Sequence, residues 1–572
     1  MNWKINRPIV RLRSMRRYSS QKNIAFRVLV WYNKGKEIID KGERPMPTLD
    51  WIGKDKVINH HLEVPYRVLE RQYSFDEAGQ KSEDNGSENM VIHGDNLSAL
   101  KSLLPQYEGK IKCIYIDPPY NTGNEGWVYN DNVNDPQIKK WLGKVVGSES
   151  EDLSRHDKWL CMMYPRLKLL HRLLADDGVI FISIDDREQV NLRLICNEIF
   201  GERNFLAQFV WQKRTSPDMR KLVSTAHEYV CVYSKIADRI ADSIHRVSLT
   251  EEDAKNYKNP DNDPRGPWAS SDFTAQGFRP NQMYEIVTPG GKKYTPPEGR
   301  CWKNIESEFH KQVQDGRMWF GTDGKGIPRR KTYLSEREGK NVWTWWDNKT
   351  VGHTQEATKE IANIFGSPTI FDYPKPVRLI QRIIQIATHK DSIILDSFAG
   401  SGTTAHAVLN MNQKDGGNRK FILIEMCDYA ESITAERVKR VIQGYGSGKK
   451  AVKGTGGNFS YYELGEKLLD GEYLNEAVPI SEIRQYVYFT ETKERVKENS
   501  EEPYQLGVYL DTAYYFYYER DAITTLDRSF LHEIKTKASA YVIYADRCLL
   551  SDAELEKYHI TFKKIPRDIT RL

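Results

Sequence analysis

The segment KCIYIDPPYNTG, residues 112–123, carries a strand-length apolar run that stops at an acid, two prolines and a tyrosine. A run apolar at successive positions reads as a strand buried on both faces, as in a parallel sheet flanked by helices. Pro118 has no backbone N–H, and a residue that precedes a proline is held extended. The strand therefore ends in a stiff corner that presents an acceptor, Asp117, and a stacking face, Tyr120. Ligands of α/β sheets bind at this carboxyl edge.

Outward from this point the pattern alternates. NMVIHGDNLSALKSLL (89–104) reads as strand then helix, with Asp95 or Asn96 as the cap. HDKWLCMMYPRLKLLHRLLADDG (156–178) reads as a helix leading into the strand GVIFISI (178–184). FLAQFVWQK (205–213) and HEYVCVYSK (227–235) are two further strands expected to close the sheet edge. From 236 to 360 the alternation gives way to Gly-, Pro- and Trp-rich sequence, and it resumes with a helix, the strand SIILDSF (392–398), the loop AGSGTT and the strand KFILIEM (420–426). One α/β core is thus split by an insertion. The expected organisation is a basic, disordered extension (1–45), a first core half (46–235), the insertion (236–360), a second core half (361–460) and a small α+β C-terminal region (461–572) suited to domain packing or a protein contact.

Length and composition agree with several units. A chain of 572 residues exceeds one ordinary core and suggests about two to four structural units. No stretch reaches the ~18 apolar residues of a membrane span, so no bilayer crossing is expected. Seven scattered cysteines without a C-x-x-C pair indicate neither a disulfide framework nor a zinc site, and fit a reducing cytoplasm. His60 and His61 lack partners at metal spacing, so no metal is expected. The first 23 residues hold seven Lys or Arg and no acid but show no amphipathic period, which favours an extension over a targeting signal.

The loop in ILDSFAGSGTTAHAV (394–408) lies between a strand and a helix, where backbone N–H groups can approach a ligand. Gly400-x-Gly402-x-x-Ala405 satisfies the dinucleotide fingerprint, and Glu425 closes the next strand, where an acid can bind ribose hydroxyls. A nicotinamide cofactor competes for this loop taken alone. Asp396 and Phe398, an acid and an aromatic in the loop, better suit the zwitterionic tail of S-adenosyl-L-methionine beside its adenosine.

Together, Asp117-Pro118-Pro119-Tyr120 and Phe398-x-Gly400-x-Gly402 resemble the signatures of the amino-methylating DNA methyltransferases. Their order, catalytic corner first and cofactor loop last, resembles the circularly permuted β-class of N6-adenine enzymes. HGDNL (93–97) and FDYPKPVRLIQRI (371–383) are similar to further cofactor-side segments of the family. More narrowly, the chain resembles modification subunits of type III restriction-modification systems and their stand-alone relatives. The resemblance implies a Rossmann-like methyltransferase fold with Asp117, Pro118, Pro119 and Tyr120 as catalytic residues. It implies an S-adenosyl-L-methionine site at Asp95, Lys375, Asp396, Phe398, Gly400, Gly402, Thr403 and Glu425. It implies double-stranded DNA as partner, and admits a homodimer and a helicase-nuclease restriction subunit. This chain carries no P-loop of its own.

The residues suit that chemistry. Adenine N6 is a poor nucleophile because its lone pair is conjugated into the ring, and hydrogen bonds to Asp117 and the Pro118 carbonyl favour a pyramidal nitrogen. The base must leave the duplex, with Tyr120 stacking for roughly 1–3 kcal/mol. A cytosine-N4 enzyme would use nearly the same corner, but more often carries Ser at the position of Asp117. Lys325, Arg329, Arg330 and Lys331, with Lys292 and Lys293, are the expected phosphate contacts in the insertion. Trp343, Trp345 and Trp346 are expected in the core.

Overall fold

The computed structural model describes residues 48–121, 155–471, 473–494, 496, 502–566 and 568–569. The basic extension and most of the loop after Tyr120 lie outside them. Eleven strands form the main sheet: β1 (Arg67–Asp76), β2 (Gly79–Lys81), β3 (Met90–His93), β4 (Ile111–Ile116), β5 (Leu174–Ile184), β6 (Phe205–Gln212), β7 (His227–Ser234), β8 (Trp345–Trp346), β9 (Ile393–Asp396), β10 (Lys420–Glu425) and β11 (Asn458–Lys467). Their spatial order is β8-β6-β7-β5-β4-β9-β10-β3-β11-β1-β2. The six strands from β5 to β11 run parallel, while β7 and β1 pair antiparallel at the two sides.

Every residue of β4 is buried, as its mostly apolar sequence requires of a central strand, and the one lysine, Lys112, is paired with Asp177 at 2.6 Å. Helices α1 (Asn96–Tyr107), α2 (Arg155–Leu173) and α3 (Gln189–Phe200) cover one face. On the other lie α4 (Thr354–Phe365), α5 (Val377–Ala387), α6 (Thr403–Asp415) and α7 (Glu436–Gln443), of which α5, α6 and α7 supply most of that face's core. Asp95, rather than Asn96, caps α1, accepting from the Ser98 N–H at 2.9 Å. In α5 the buried residues Leu379, Ile380, Ile383, Ile384 and Ala387 recur at three- and four-residue spacing, the stripe that seats a helix on a sheet. The connection leaving β4 crosses one face through α2 and that leaving β9 crosses the other through α6. Adjacent strands β4 and β9 therefore diverge at their carboxyl ends, which opens a crevice between them.

The core boundaries differ from those expected. β6 is not the edge: Trp345 and Trp346 add β8 in parallel alongside Val210 and Trp211. Trp346 is buried and stacked on Phe209 at 4.2 Å between centroids, whereas Trp343 and Trp345 are exposed. A pair of tryptophans at a loop end carries no strand period, so the sequence did not reveal this strand. At the other side, β11 carries the core past residue 460.

The insertion leaves the core at a narrow neck, where Val247 and Lys340 exchange both backbone hydrogen bonds at 2.9 Å. Beyond the neck Phe273, Ile286, Trp302, Phe309, Met318 and Phe320 form a separate core. The C-terminal region is a four-stranded sheet (505–509, 512–516, 540–545, 560–564) preceded by α8 (Ile480–Thr492). Ile483, Tyr486, Val487 and Phe489 of α8 join the same apolar cluster as Leu100, Leu103 and Leu104 of α1. Among the described residues no helix is long and apolar enough to cross a membrane.

Paired Cα atoms at such a neck stand ~5.5 Å apart. Replacing residues 248–339 with about four Gly/Ser residues should therefore leave a core that unfolds cooperatively, as followed by circular dichroism on heating. A broad, non-cooperative transition would show that the insertion is needed to hold the core together.

Candidate active site

The carboxyl ends of β4, β5, β6 and β9 converge on one edge, joined there by the amino end of the antiparallel β7. Register pairs Ile394 with Cys113 and Leu395 with Ile114, so Asp396 at the end of β9 and Asp117 just beyond β4 flank the crevice. β5 pairs antiparallel with β7 through Ile184 and Tyr229, which brings Asp185 and Glu228 to the same edge. β6 contributes Lys213 opposite them. A cavity of about 230 Å³ runs along this line, walled by Asp117, Tyr120, Glu228, Lys375, Asp396 and Gly400 among others.

At the corner, the Tyr120 hydroxyl lies 2.7 Å from Asp117 Oδ1 and 3.2 Å from Glu228 Oε2, and donates between them. The Lys375 ammonium pairs with Asp117 Oδ2, stands 3.8 Å from Glu228 and 5.2 Å from the Tyr120 ring centroid. Lys213 donates to Glu228 at 2.7 Å. Burial pushes the Asp117 carboxyl above its ordinary range, and Lys375 offsets this only in part. Burial also acts on Glu228, but the two ammonium groups outweigh it and leave that carboxyl below its ordinary range. The corner is fixed from behind by the Trp159 indole, which donates to the Pro119 carbonyl at 2.7 Å. Asn121, in the left-handed region with φ 59°, donates to Glu188 at 2.5 Å.

The glycine loop is built as tightly. Gly402 has φ 77°, and a Cβ there would meet the Thr434 carbonyl at 3.0 Å, so an L side chain is excluded twice over. Glu425 accepts from the Gly400 N–H at 2.8 Å and the Cys427 N–H at 3.0 Å. Thr403 Oγ1 donates to the Lys375 carbonyl at 3.3 Å and accepts from buried Arg437 at 2.8 Å, which ties the loop to the segment before α5. Burial lowers the Arg437 guanidinium to about 10. Asp396 is buried, and burial pushes its carboxyl up to about 7 although Thr404 Oγ1 donates to it at 2.5 Å and the Phe398 N–H at 3.1 Å.

Phe398 also walls a smaller cavity with Asn96, Pro119, Met162, Ser397 and Glu425. Ser397 Oγ is buried without a hydrogen-bond partner, a state that costs free energy unless a ligand group meets it.

A family model for DNA methylases matches residues 111–436, and this chain belongs to that family. It is 37% identical over 427 residues to the type III restriction-modification enzyme StyLTI Mod subunit of Salmonella typhimurium, covering 68% of this chain and 63% of that subunit. It is 34% identical over 422 residues to the EcoPI Mod subunit of Escherichia phage P1, covering 66% and 63%. To the type II methyltransferase M.KpnI of Klebsiella pneumoniae it is 34% identical over 374 residues, covering 62% and 84%. The chain thus spans under two thirds of the length of the two Mod subunits.

Of the residues singled out in the sequence, Asp117, Pro118, Tyr120, Lys375, Asp396, Phe398, Gly400 and Thr403 line the larger cavity, and Pro119, Phe398 and Glu425 the smaller. Gly402 supplies the turn behind them. Two placements correct the expectations on the cofactor side. Asp95 lines neither cavity: its carboxylate caps α1 and meets Arg166 at 3.2 Å, while Asn96 takes the cavity position. The Lys375 ammonium, though in the wall of the larger cavity, points at Asp117. Lys331 is a third correction, because its ammonium is buried between Asp261 and Asp263, the latter at 2.9 Å, and holds the insertion together. Arg329 is half-buried and donates to Ser270 at 2.8 Å, while Lys325 and Arg330 are exposed. Glu228, Lys213, Asp185, Trp159 and Arg437 went unnoticed in the sequence because no motif marks them; only the alternation of β6 and β7 places Lys213 and Glu228 at the edge.

Two outcomes follow. Asp396 binds its proton more tightly in the folded chain than unfolded, so its contribution to stability is full below the ordinary carboxylate range and is lost as pH rises through about 7. Asp396→Asn should flatten the fall in Tm between about pH 4 and 7 by a few degrees; parallel wild-type and variant curves would reject the buried carboxyl as its source. Lys331→Ala should destabilise the insertion by roughly 2–4 kcal/mol. Lys325→Ala with Arg330→Ala should leave stability unchanged, and if these exposed cations are the phosphate contacts expected from the sequence, it should reduce the salt slope of DNA binding by about one per lost contact. Gel shifts across salt concentrations, beside denaturant titrations, separate the two.

Proposed function

We propose that this chain methylates the N6 amine of adenine in double-stranded DNA, using S-adenosyl-L-methionine, on a base turned out of the duplex. The observation that carries this reading is the single crevice lined by the Asp117 corner on one strand end and the glycine loop with Asp396 on the next. The residues fit the cofactor. Asp396 offers a carboxylate to a cationic amino-acid tail, Phe398 an apolar wall, and Glu425 and the partnerless Ser397 hydroxyl offer polar groups to a ribose or adenine.

S-adenosyl-L-methionine supplies an electrophilic methyl group when bound. The chain's own residues bring the amine to it. Asp117 Oδ atoms accept the amine N–H, which draws the nitrogen lone pair out of conjugation and aims it. Because burial raises its proton affinity, the same carboxylate is placed to take the proton that the methylated nitrogen sheds. Glu228, Lys375 and Lys213 keep the buried charge balanced as that proton moves, and Tyr120 supplies the stacking face. Positioning and preorganised charge carry the rate, without a covalent intermediate on the enzyme. Asp at 117, where cytosine-N4 enzymes more often have Ser, favours adenine. Similarity to Mod subunits of restriction-modification enzymes supports a restriction subunit as partner, and the exposed cations of the insertion support a role in reading DNA. A cytoplasmic location accords with seven scattered cysteines that form no C-x-x-C pair.

Asp117→Ala should lower methyl transfer at least ~10²-fold and leave S-adenosyl-L-methionine affinity within a few-fold, since the acid faces the target. Radiolabelled transfer to DNA and calorimetry of the cofactor measure the two effects. Turnover at the wild-type rate in this variant would remove Asp117 from the mechanism, and tight binding of NAD in place of S-adenosyl-L-methionine would overturn the reading.

A further inference from the structure

The loop that joins β6 to β7 leaves the sheet at the edge where the catalytic cavity lies. Its base is closed by the N–H groups of Lys213 and Arg214, both donating to the Ala226 carbonyl at 2.9 and 3.2 Å. Lys213 and Glu228, at the two feet, line the cavity. Beyond them the tip carries Met219, Leu222 and Val223, exposed by 90%, 108% and 86%. Single exposed apolar side chains are ordinary on a protein surface, but three within five residues on one loop tip are not.

The loop is shaped rather than slack: the Asp218 N–H donates to Ser224 Oγ at 2.8 Å and the Lys221 N–H to the Asp218 carbonyl at 3.0 Å. Between 213 and 226 four basic residues, Lys213, Arg214, Arg220 and Lys221, face a single acid, Asp218, which Arg220 grips through two nitrogens. Lys213, Arg214 and Lys221 also line a hollow with Asp185 and Arg187, and these two acid and base side chains belong to the wall of the catalytic cavity as well. An apolar tip on a cationic stem, continuous with the pocket for the extruded base, matches one occupant: the phosphate-flanked gap that base extrusion leaves in a DNA duplex. Apolar side chains inserted between base steps are a general means of holding a duplex open.

We infer that Met219, Leu222 and Val223 form a wedge that enters the duplex at the vacated position while Arg214 and Lys221 hold the adjoining phosphates. The inference rests on the methylation reading above and adds to it the element that keeps the base out. Filling the gap favours the extruded state, so the wedge matters most where the target base is paired and least where its pairing is already lost.

The test uses the full chain with Met219, Leu222 and Val223 changed together to Ser. These side chains are exposed, so folding and cofactor affinity should match the wild type. Two duplexes carry the sequence that the wild type modifies, located by sequencing modified bases, and in one the target base faces an abasic site. The variant should methylate the fully paired duplex about 10- to 100-fold more slowly than the wild type, and the abasic-opposed duplex within about three-fold. 2-Aminopurine at the target should brighten with wild type on both duplexes, and with the variant only on the second. Wild-type rates on both, which is the outcome if the tip docks on a protein partner instead, would overturn the wedge, as would an equal loss on both. A wild type that methylates neither duplex fails the proposed function itself.

Discussion

The carboxylates Asp117, Glu228 and Asp396 line one cavity together with Asp185, and the molecule around them is arranged to make that tolerable. An unpaired charge in a protein interior costs several kcal/mol, and here two lysines from distant parts of the chain offset it. Lys213 comes from β6, before the insertion, and Lys375 from the segment ahead of α5, after it. The cluster therefore closes only when both halves of the split core are in register. Among the described residues no ammonium pairs with Asp396, which takes only the Thr404 hydroxyl and the Phe398 N–H, so burial pushes its carboxyl up to about 7. The acid with no cation of its own is the one that a cationic ligand would relieve, whereas the paired acids are matched to a neutral amine. Two neighbouring carboxylates thus acquire different tasks from their surroundings.

How much of this was legible in the sequence depends on the range of the interaction. β4 and β9 were legible because central parallel strands are apolar at every position, and the corner and loop were legible because proline and glycine leave signatures at fixed offsets. β8 was not, since two tryptophans acquire a strand's role only by pairing with Val210 and Trp211 across more than 130 residues of chain. Lys375 was recognised as belonging to the site but set against the cofactor, because a segment name does not say where a long side chain turns. Its direction is decided by Asp117, which a local reading cannot bring alongside it. Lys331 failed for the opposite reason: a run of Arg-Arg-Lys reads as a basic patch, but alternation on the strand 329–333 sends its third member inward to Asp261 and Asp263.

The insertion occupies the one place where it can do no harm to the sheet. β7 and β8 lie at the same side of the core, with β6 between them, and the chain departs and returns through a neck two residues wide. Lengthening or replacing what lies beyond Val247 and Lys340 does not alter the register of any parallel strand. Loop closure costs grow only slowly with length, so a domain of this size is thermodynamically easy to accommodate. The insertion and the crevice are in this way carried by separately packed cores, aromatic packing around Phe273 and Trp302 for one and the two faces of the main sheet for the other.

The same geometry explains why the β6–β7 loop is free to be apolar at its tip. A loop between helix and strand on either face would lie against α2 or α6 and be absorbed into a core, but β6 and β7 turn at the open edge, with the cavity on one side. Apolar residues there cannot be buried by this chain without closing the entrance to Asp117. Their exposure is accounted for by burial against something that reaches the cavity as well, as the proposed duplex with one base displaced would. On the proposed reading the stem and the acids have complementary roles: the stem meets the phosphates outside, Asp117 behind Tyr120 and Lys375 meets the uncharged base, and Asp396 meets the cationic tail of the cofactor.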